Sequence, residues 1–217
     1  MMKVEEMMTS PVVTLSPENT VEEAYQCLQR SRISHIPVVG SDDHFIGLVS
    51  DHHLSYWMTE AYKSGGNIKN AYQRPLSDVA IRNVQTGHPL DFVEEVTVLF
   101  EEYHLRALPI LSDKKVVGII TKTDLLKTFI ALTGAGKPGS HLEVRVPNKP
   151  GNLARVTDVM NSDKLNIHSI LVYPNADDDR FKILVFRVGT MNPLPLVHAL
   201  HEEGFDVLWP KEMGTHV

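Results

Sequence analysis

"LSPENTVEEAYQCLQRSRISHIPVV", residues 15–39, is read twice in this chain; the second copy is "GHPLDFVEEVTVLFEEYHLRALPIL", residues 87–111. Pro17 pairs with Pro89, Val21-Glu22-Glu23 with Val93-Glu94-Glu95, and Pro37 with Pro109, each pair 72 residues apart. Gly47 and Gly118 follow at a spacing of 71, so one residue is lost in the turn between. Register held over this length points to an internal duplication.

Each copy predicts the order β-α-β-β-α. A Pro precedes a helix start that carries a capping pair, Thr20 with Glu23 and Asp91 with Glu94. Val21, Ala24, Tyr25 and Leu28 then fall at i, i+3, i+4 and i+7, one apolar helix face. Two short strands follow ("HIPVV" and "FIGLVS"; "ALPIL" and "VVGIIT"), and then a second helix. One such unit leaves a bare sheet edge and an uncovered apolar face, so the copies should pack together about a pseudo-twofold axis. The repeats are placed at 1–58 and 76–133, joined by a polar connector at 59–75. A Gly-rich linker, "GAGKPG" at 134–139, follows. It is not a phosphate-binding P-loop, because Pro138 stands where Ser or Thr should follow the Lys.

Residues 140–217 change pattern. Strand "HLEVRV", turn "PNKPGN", helix "LARVTDVMNS", strands "NIHSILVYP" and "RFKILVFRV", helix "LPLVHALHEEG" and strand "FDVLWP" spell β-α-β-β-α-β, the ferredoxin-like plan. The fold class is therefore α+β.

A net charge of −6 argues against nucleic acid as a partner. Cys27 is the only cysteine, so no internal disulfide forms, and its place among core positions favours packing over nucleophilic chemistry. The first residues, "MMKVEEMMTSP", lack the apolar core of a secretory signal, and no apolar run approaches a membrane span. The expectation is a cytoplasmic protein with no membrane partner.

Two corresponding strand-to-helix turns carry chemistry: "GIITKTDLL" (118–126) and "GLVSDHHLS" (47–55). In the later copy Thr121 and Asp124 place a hydroxyl and a carboxylate at a helix mouth, suited to the paired hydroxyls of a ribose. A purely structural reading is also open, with Thr121 as the helix cap and Asp124 as a favourable charge in the first turn. In the earlier copy Ser50 is kept, but His53 replaces the carboxylate. An imidazole can donate or accept one hydrogen bond and cannot grip a diol in the same way.

The repeats resemble a tandem pair of CBS domains, regulatory modules that hold adenosine nucleotides between copies. "MMTSPVVT" (7–14), "ISHIPVV", "LRALPIL" and "GIITKTDLL" carry the resemblance. It implies that the intact site crosses between copies, joining Thr121, Thr123 and Asp124 to Thr9, Val13, Ile33, Ser34 and His35. Backbone groups around Val13 and Ser34 would read the adenine edge, with Ile33 against its face. Arg106 is the candidate phosphate contact, or else a solvated surface charge. The ligand would be AMP, ADP, ATP or S-adenosylmethionine, which share the adenosine part.

The last segment is similar to an ACT domain, a small-ligand module that often binds amino acids at a dimer interface. "PNKPGNLARV" and "LNIHSI" carry that similarity. It offers Asn148, Gly151, Asn152, Leu153 and Asn166 as ligand-site candidates; alternatively Gly151 only permits a tight turn. The order of modules, with "HPLDFVEEV", "TKTDLLKTFIALTGA" and "VFRVGTMNPLPLVHAL", resembles the acetoin utilisation family. These resemblances imply a non-catalytic, homodimeric regulator of acetoin or related carbon metabolism. The alternative is a structural, dimerising protein with no physiological nucleotide.

An enzyme reading finds little support. His198 and His201 share a helix face, without a third metal ligand at useful spacing. His52 and His53 are expected to point apart on a strand. No nucleophile elbow is present.

Overall fold

The computed structural model describes residues 2–65, 67–162 and 164–211. It divides into two compact units, residues 1–126 and 127–217.

In the first unit, helix α1 (Val21–Ser31) starts where the sequence places it. Thr20 Oγ1 accepts from the Glu23 N–H at 3.2 Å, and a Glu23 carboxylate oxygen accepts from the Thr20 N–H at 2.8 Å. Strands β1 (His35–Val39) and β2 (Phe45–Ser50) form an antiparallel hairpin that runs into helix α2 (Asp51–Lys63). The connector is not an extended linker. After α2, Asn67 caps a further short helix, α3 (Ile68–Tyr72), and α4 (Leu76–Val79) follows. Ala71 is buried, and Tyr72 packs on the first repeat's core. The second repeat repeats the plan with α5 (Val93–Glu102), β3 (Ala107–Ser112), β4 (Lys115–Thr121) and α6 (Lys122–Thr133). Its hairpin bulges between Ile110 and Leu111, the position equivalent to the Val38–Val39 bulge of the first.

Two expectations need correction. The second repeat has no Asp91–Glu94 capping pair: its N-cap is Phe92, which makes no side-chain cap, and Asp91 accepts from the His88 N–H at 2.6 Å. Phe92 occupies the register of Thr20, so this copy lacks a cap of the kind that contributes about 1 kcal/mol. The first strand of each repeat is also reduced to a single parallel bridge, Leu15 to Val38 and Gly87 to Ile110. In each, the next residue due to donate to the ladder is a proline, Pro17 or Pro89, which has no N–H.

The segment that leads into each repeat belongs to the other repeat's core. Val4 N–H donates to Asp91 O and Glu5 N–H to Pro89 O; 72 residues on, Leu76 N–H donates to Asn19 O and Ser77 N–H to Pro17 O. Val4 is buried with Val96, Phe100, Leu108, Ile110 and Ile120 of the second repeat. Leu76 and Val79 are buried with Val21, Leu28, Ile36 and Val49 of the first. Leu48, Ala107 and Ile119 form a third cluster where the two hairpins meet.

The exchange requires two close crossings. Thr9 pairs with Ile119 through two backbone hydrogen bonds of 2.9 and 3.1 Å, and Ile81 pairs with Leu48 through bonds of 2.9 and 3.0 Å. A Cβ on Gly47 would lie 2.7 Å from Ile81 O; one on Gly118 would run into Met8 Sδ.

In the second unit, β5 (Ser140–Pro147), β6 (Ile167–Pro174), β7 (Phe181–Val188) and β8 (Asp206–Trp209) form one antiparallel sheet in the order β6-β7-β5-β8. Helices α7 (Asn152–Ser162) and α8 (Leu194–Glu202) supply the rest of its core. Alternation along β5 buries Leu142, Val144 and Val146 against Phe186, Met160 and Leu200. Gly204, at φ +79°, ends α8 as expected. This is the β-α-β-β-α-β order read from the sequence.

The two crossings should respond differently to an added methyl. Gly47→Ala meets a backbone carbonyl that cannot step aside, so we expect a loss of about 1–3 kcal/mol. Gly118→Ala meets a flexible thioether and should lose less. Urea midpoints of the two variants measure the difference.

Candidate functional site

The Thr121–Asp124 turn closes on itself. Thr121 N–H and Oγ1–H both donate to Asp124 Oδ2, at 2.9 and 2.7 Å, and Asp124 N–H donates back to Thr121 Oγ1 at 3.4 Å. The carboxylate is thus held in one orientation at the mouth of α6. Thr123 is exposed on the same first turn. Through the Thr9–Ile119 pairing, the leading segment of the first repeat runs beside the end of β4. Beyond it Val13 is exposed. Ser34 is exposed, its carbonyl accepting from the Asp51 N–H at 3.1 Å, and Ile33 packs on the first repeat's core.

The corresponding turn of the first repeat has the same cap without the carboxylate. Ser50 Oγ accepts from the His53 N–H at 3.1 Å. Asp51 Oδ1 accepts from the His52 N–H at 2.6 Å. His52 and His53 lie in the first turn of α2, not on a strand; the Ser50 cap has already started the helix. His53 Nδ1 is buried with no hydrogen-bond partner.

An open cleft of about 680 Å³ lies beside this turn. Ser50, His52, His53 and Tyr56 line it from the first repeat's turn, and His35 from β1. Across it stand Ile81, Asn83, Val84 and Gln85 from the second repeat's leading segment, with Tyr103, His104 and Arg106 from the end of α5 and the loop to β3.

This placement corrects the grouping of Arg106. Arg106 and His35 line the His53 cleft, which does not include Thr121, Thr123 or Asp124. The 72-residue offset explains the change: Arg106 occupies the register of Ser34, so the crossing that brings Ser34 towards one turn brings Arg106 towards the other. The same offset identifies Ile81 as the counterpart of Thr9, and would have found the Ile81–Gln85 wall, which sequence reasoning missed.

Burial pushes the His35 imidazole below its ordinary value; Asp51 opposes the shift and Arg106 adds to it. Burial likewise lowers His53, helped by neighbouring His52. Among the described residues no three His, Cys, Asp or Glu side chains form a metal-binding group.

In the second unit, Asn148, Gly151, Asn152 and Leu153 meet at one turn. Asn148 N–H donates to Arg180 O at 2.7 Å, and Asn152 Nδ2 donates to Pro147 O at 2.8 Å. Gly151 has φ +90° with open space where a side chain would stand, and Leu153 is exposed. Asn166 is not with them. Its carbonyl accepts from the Gly189 N–H, past the far end of β7. Helix α7 carries the chain back along the sheet, so a strand length of roughly 20 Å separates the two groups within one chain.

The family model for the CBS domain matches residues 4–60 and 76–131, just over half of the chain. The chain belongs to the CBS-domain family. The CBS domain-containing protein YhcV of Bacillus subtilis is 28% identical over 136 residues, covering 63% of this chain and 91% of that protein. Two other curated relatives, an L-aspartate semialdehyde sulfurtransferase of Methanocaldococcus jannaschii and a homoserine O-acetyltransferase of Methanohalobium evestigatum, are longer, and the chain spans 23% of each. Among solved structures, a putative acetoin utilization protein (AcuB) from Vibrio cholerae has TM-score 0.56 at 26% identity, covering 63% of this chain and 96% of that one. CBSX2, solved in complex with AMP, has TM-score 0.52 at 21% identity, covering 59% and 96%. The CBS pair coincides with the first unit and continues into α6. Among the described residues no helix is long and apolar enough to cross a membrane.

The two lowered histidines tie stability to pH. A group whose folded pKa lies below its unfolded value binds its proton more readily in the unfolded chain. Its stabilising contribution is therefore full above the unfolded pKa, about 6.5, and declines as pH falls below it. We expect a lower urea midpoint at pH 5.5 than at pH 7.5, and a smaller difference in His53→Gln.

Proposed function

We propose that this CBS protein is a non-catalytic regulator that takes an adenosine-containing ligand, AMP, ADP, ATP or S-adenosylmethionine, at the Thr121–Asp124 turn. The CBS domain is in general a regulatory module without catalytic chemistry. One observation carries the reading: a carboxylate fixed by its own turn at a helix mouth, with the Thr9 segment of the other repeat alongside. Asp124 would accept from the ribose hydroxyls. Thr9, Val13, Ile33 and Ser34 would meet the base, and Thr123 would add a hydroxyl at the helix start. Arg106 lines the cleft beside His53 instead.

The second unit acts in this reading as an ACT-like module at 140–217. Its turn at Asn148–Leu153 would hold a small molecule or an amino acid, with Asn166 contributed from a second copy in a homodimer. The signal would be a ligand-dependent change in domain arrangement or assembly, driven by unequal affinity for two states. A cytoplasmic role in acetoin or related carbon metabolism fits the module order and the likeness to the Vibrio protein. One observation favours the alternative of a dimerising protein with no nucleotide: the Asp124 carboxylate already accepts hydrogen bonds from Thr121.

Calorimetric titration of the whole chain separates the two. S-adenosylmethionine has no phosphate, so it reports on the diol contact without help from an anion site. We expect one site per chain, weakened at least tenfold in Asp124→Ala, the scale of losing hydrogen bonds to a charged group. Absence of binding by all four ligands would leave the dimerising reading.

A further inference from the structure

The segment 134–139 reads as a linker by composition, yet it is bound along its length. Helix α6 hands over to it at Thr133, whose carbonyl accepts from Ser169 Oγ at 2.6 Å. Gly134 is buried and ends the helix at φ +65°; a Cβ there would lie 3.3 Å from His168 Cβ. Lys137 N–H donates to Gly134 O at 2.9 Å, and Lys137 O accepts from Arg187 Nη2 at 2.8 Å. At Gly139 a side chain would run into Val188 O. Ser140 Oγ then donates to Thr190 O at 2.7 Å as β5 begins. The two side chains that hold the segment, Ser169 of β6 and Arg187 of β7, are partners across the sheet. All of these contacts lie within the second unit.

Helix α6 has its other end at the candidate site. Its first turn carries Asp124, which accepts from Thr121, and belongs to the first unit; its last residues belong to the second. Its 12 residues make a rod about 18 Å long. The Thr133 carbonyl is among the last four of the helix, which have no donor inside it, and Ser169 supplies one. Two arrangements follow. In the seated one Ser169 and Arg187 donate to the segment; in the released one both carbonyls turn to water. Each of these hydrogen bonds is worth little net once water competes, so the released arrangement lies within reach. A diol on Asp124 adds bonds to the first turn of α6 and so favours the ordered helix that the seated arrangement needs.

We propose that residues 133–140 form a two-state joint that reports the occupancy of the Thr121–Asp124 turn, through α6, to strands β6 and β7, with Ser169 and Arg187 as its positioning residues. This rests on the adenosine reading of that turn and adds the route of its signal. By linkage one factor appears twice: the ligand suppresses release by the same ratio by which release weakens the ligand.

Amide hydrogen exchange of the full-length chain, read at the Gly134 and Lys137 N–H groups, tests the joint beside calorimetry. S-adenosylmethionine and AMP are the probes. A bound probe should slow both amides at least fivefold, the lower end of ordinary coupling between sites. Ser169→Ala and Arg187→Ala, measured singly, should each speed both amides and weaken the probe, by no more than that factor. Ser169→Thr keeps the hydroxyl and should restore both values. Faster exchange in Ser169→Ala and Arg187→Ala with unchanged affinity would mean a joint that is only structural, and would overturn the proposal. Binding at one site per chain with unchanged exchange at Gly134 and Lys137 would overturn it and leave the adenosine reading in place. Should neither probe bind, the adenosine reading falls, and ligand-free Asp124→Ala decides the joint. Faster exchange at both amides in that variant supports coupling along α6; unchanged exchange overturns it.

Discussion

Two backbone crossings organise the CBS pair. At Gly118 the Met8–Thr9 segment passes over β4, where a Cβ would meet the Met8 side chain, and at Gly47 the Ile81 segment passes over β2, where it would meet the Ile81 carbonyl. Each crossing delivers one repeat's leading segment to the other repeat's strand-to-helix turn, which is how the cleft beside His53 acquires walls from both copies. The glycine that opens the Gly-x-x-hydroxyl motif is thus a packing requirement; the ligand chemistry sits three and six residues later. Where the two roles share one short motif, a chain can lose the carboxylate, as at His53, and still keep the architecture.

The duplication makes much of this legible without coordinates. The offset of 72, falling to 71 after the hairpin turn, predicts the two hairpins and pairs Val4 with Leu76, and helical spacing predicts the burial of Val21, Ala24 and Leu28. The same offset carries Thr9 to Ile81 and Ser34 to Arg106, so Arg106 belongs with His53 once the crossing is known. Other features resisted for local reasons. The Asp91–Glu94 pair has the composition of a capping box, but hydrogen bonding of Asp91 to His88 and the register of the helix place Phe92 at the cap. The polar connector reads as a loop by composition, while Asn67 and the burial of Ala71 make part of it helical. The pairing of Asn166 with the Asn148–Leu153 turn came from likeness to a family; within one chain the sheet holds them apart.

The second unit was the more transparent half because its signals are short-range. Alternation along β5 sets which face is buried, the apolar run Ile183–Phe186 marks β7 as a strand buried in the sheet, and Gly204 marks a helix end. Its candidate ligand turn is less informative: Asn152 is used by the turn itself, and Gly151 meets only open space. The polar groups of that turn describe how the chain bends before they describe what it could bind.

The exchange of leading segments also has a consequence for synthesis on the ribosome. Chains emerge from the N-terminus, and the first repeat's core includes Leu76 and Val79 from the far side of the connector. Its own helices and hairpin end at residue 63, so a complete set of first-repeat elements still lacks part of its interior until residue 79 has left the exit tunnel. The second repeat has the opposite history. Its missing piece, Val4, is made before the rest of that core and waits for partners roughly a hundred residues later. Closing so long a loop costs only slightly more entropy than closing a short one. The nascent chain can therefore complete the first repeat's core once residue 79 is free, while Val4 stays unpartnered until the second repeat's strands have emerged.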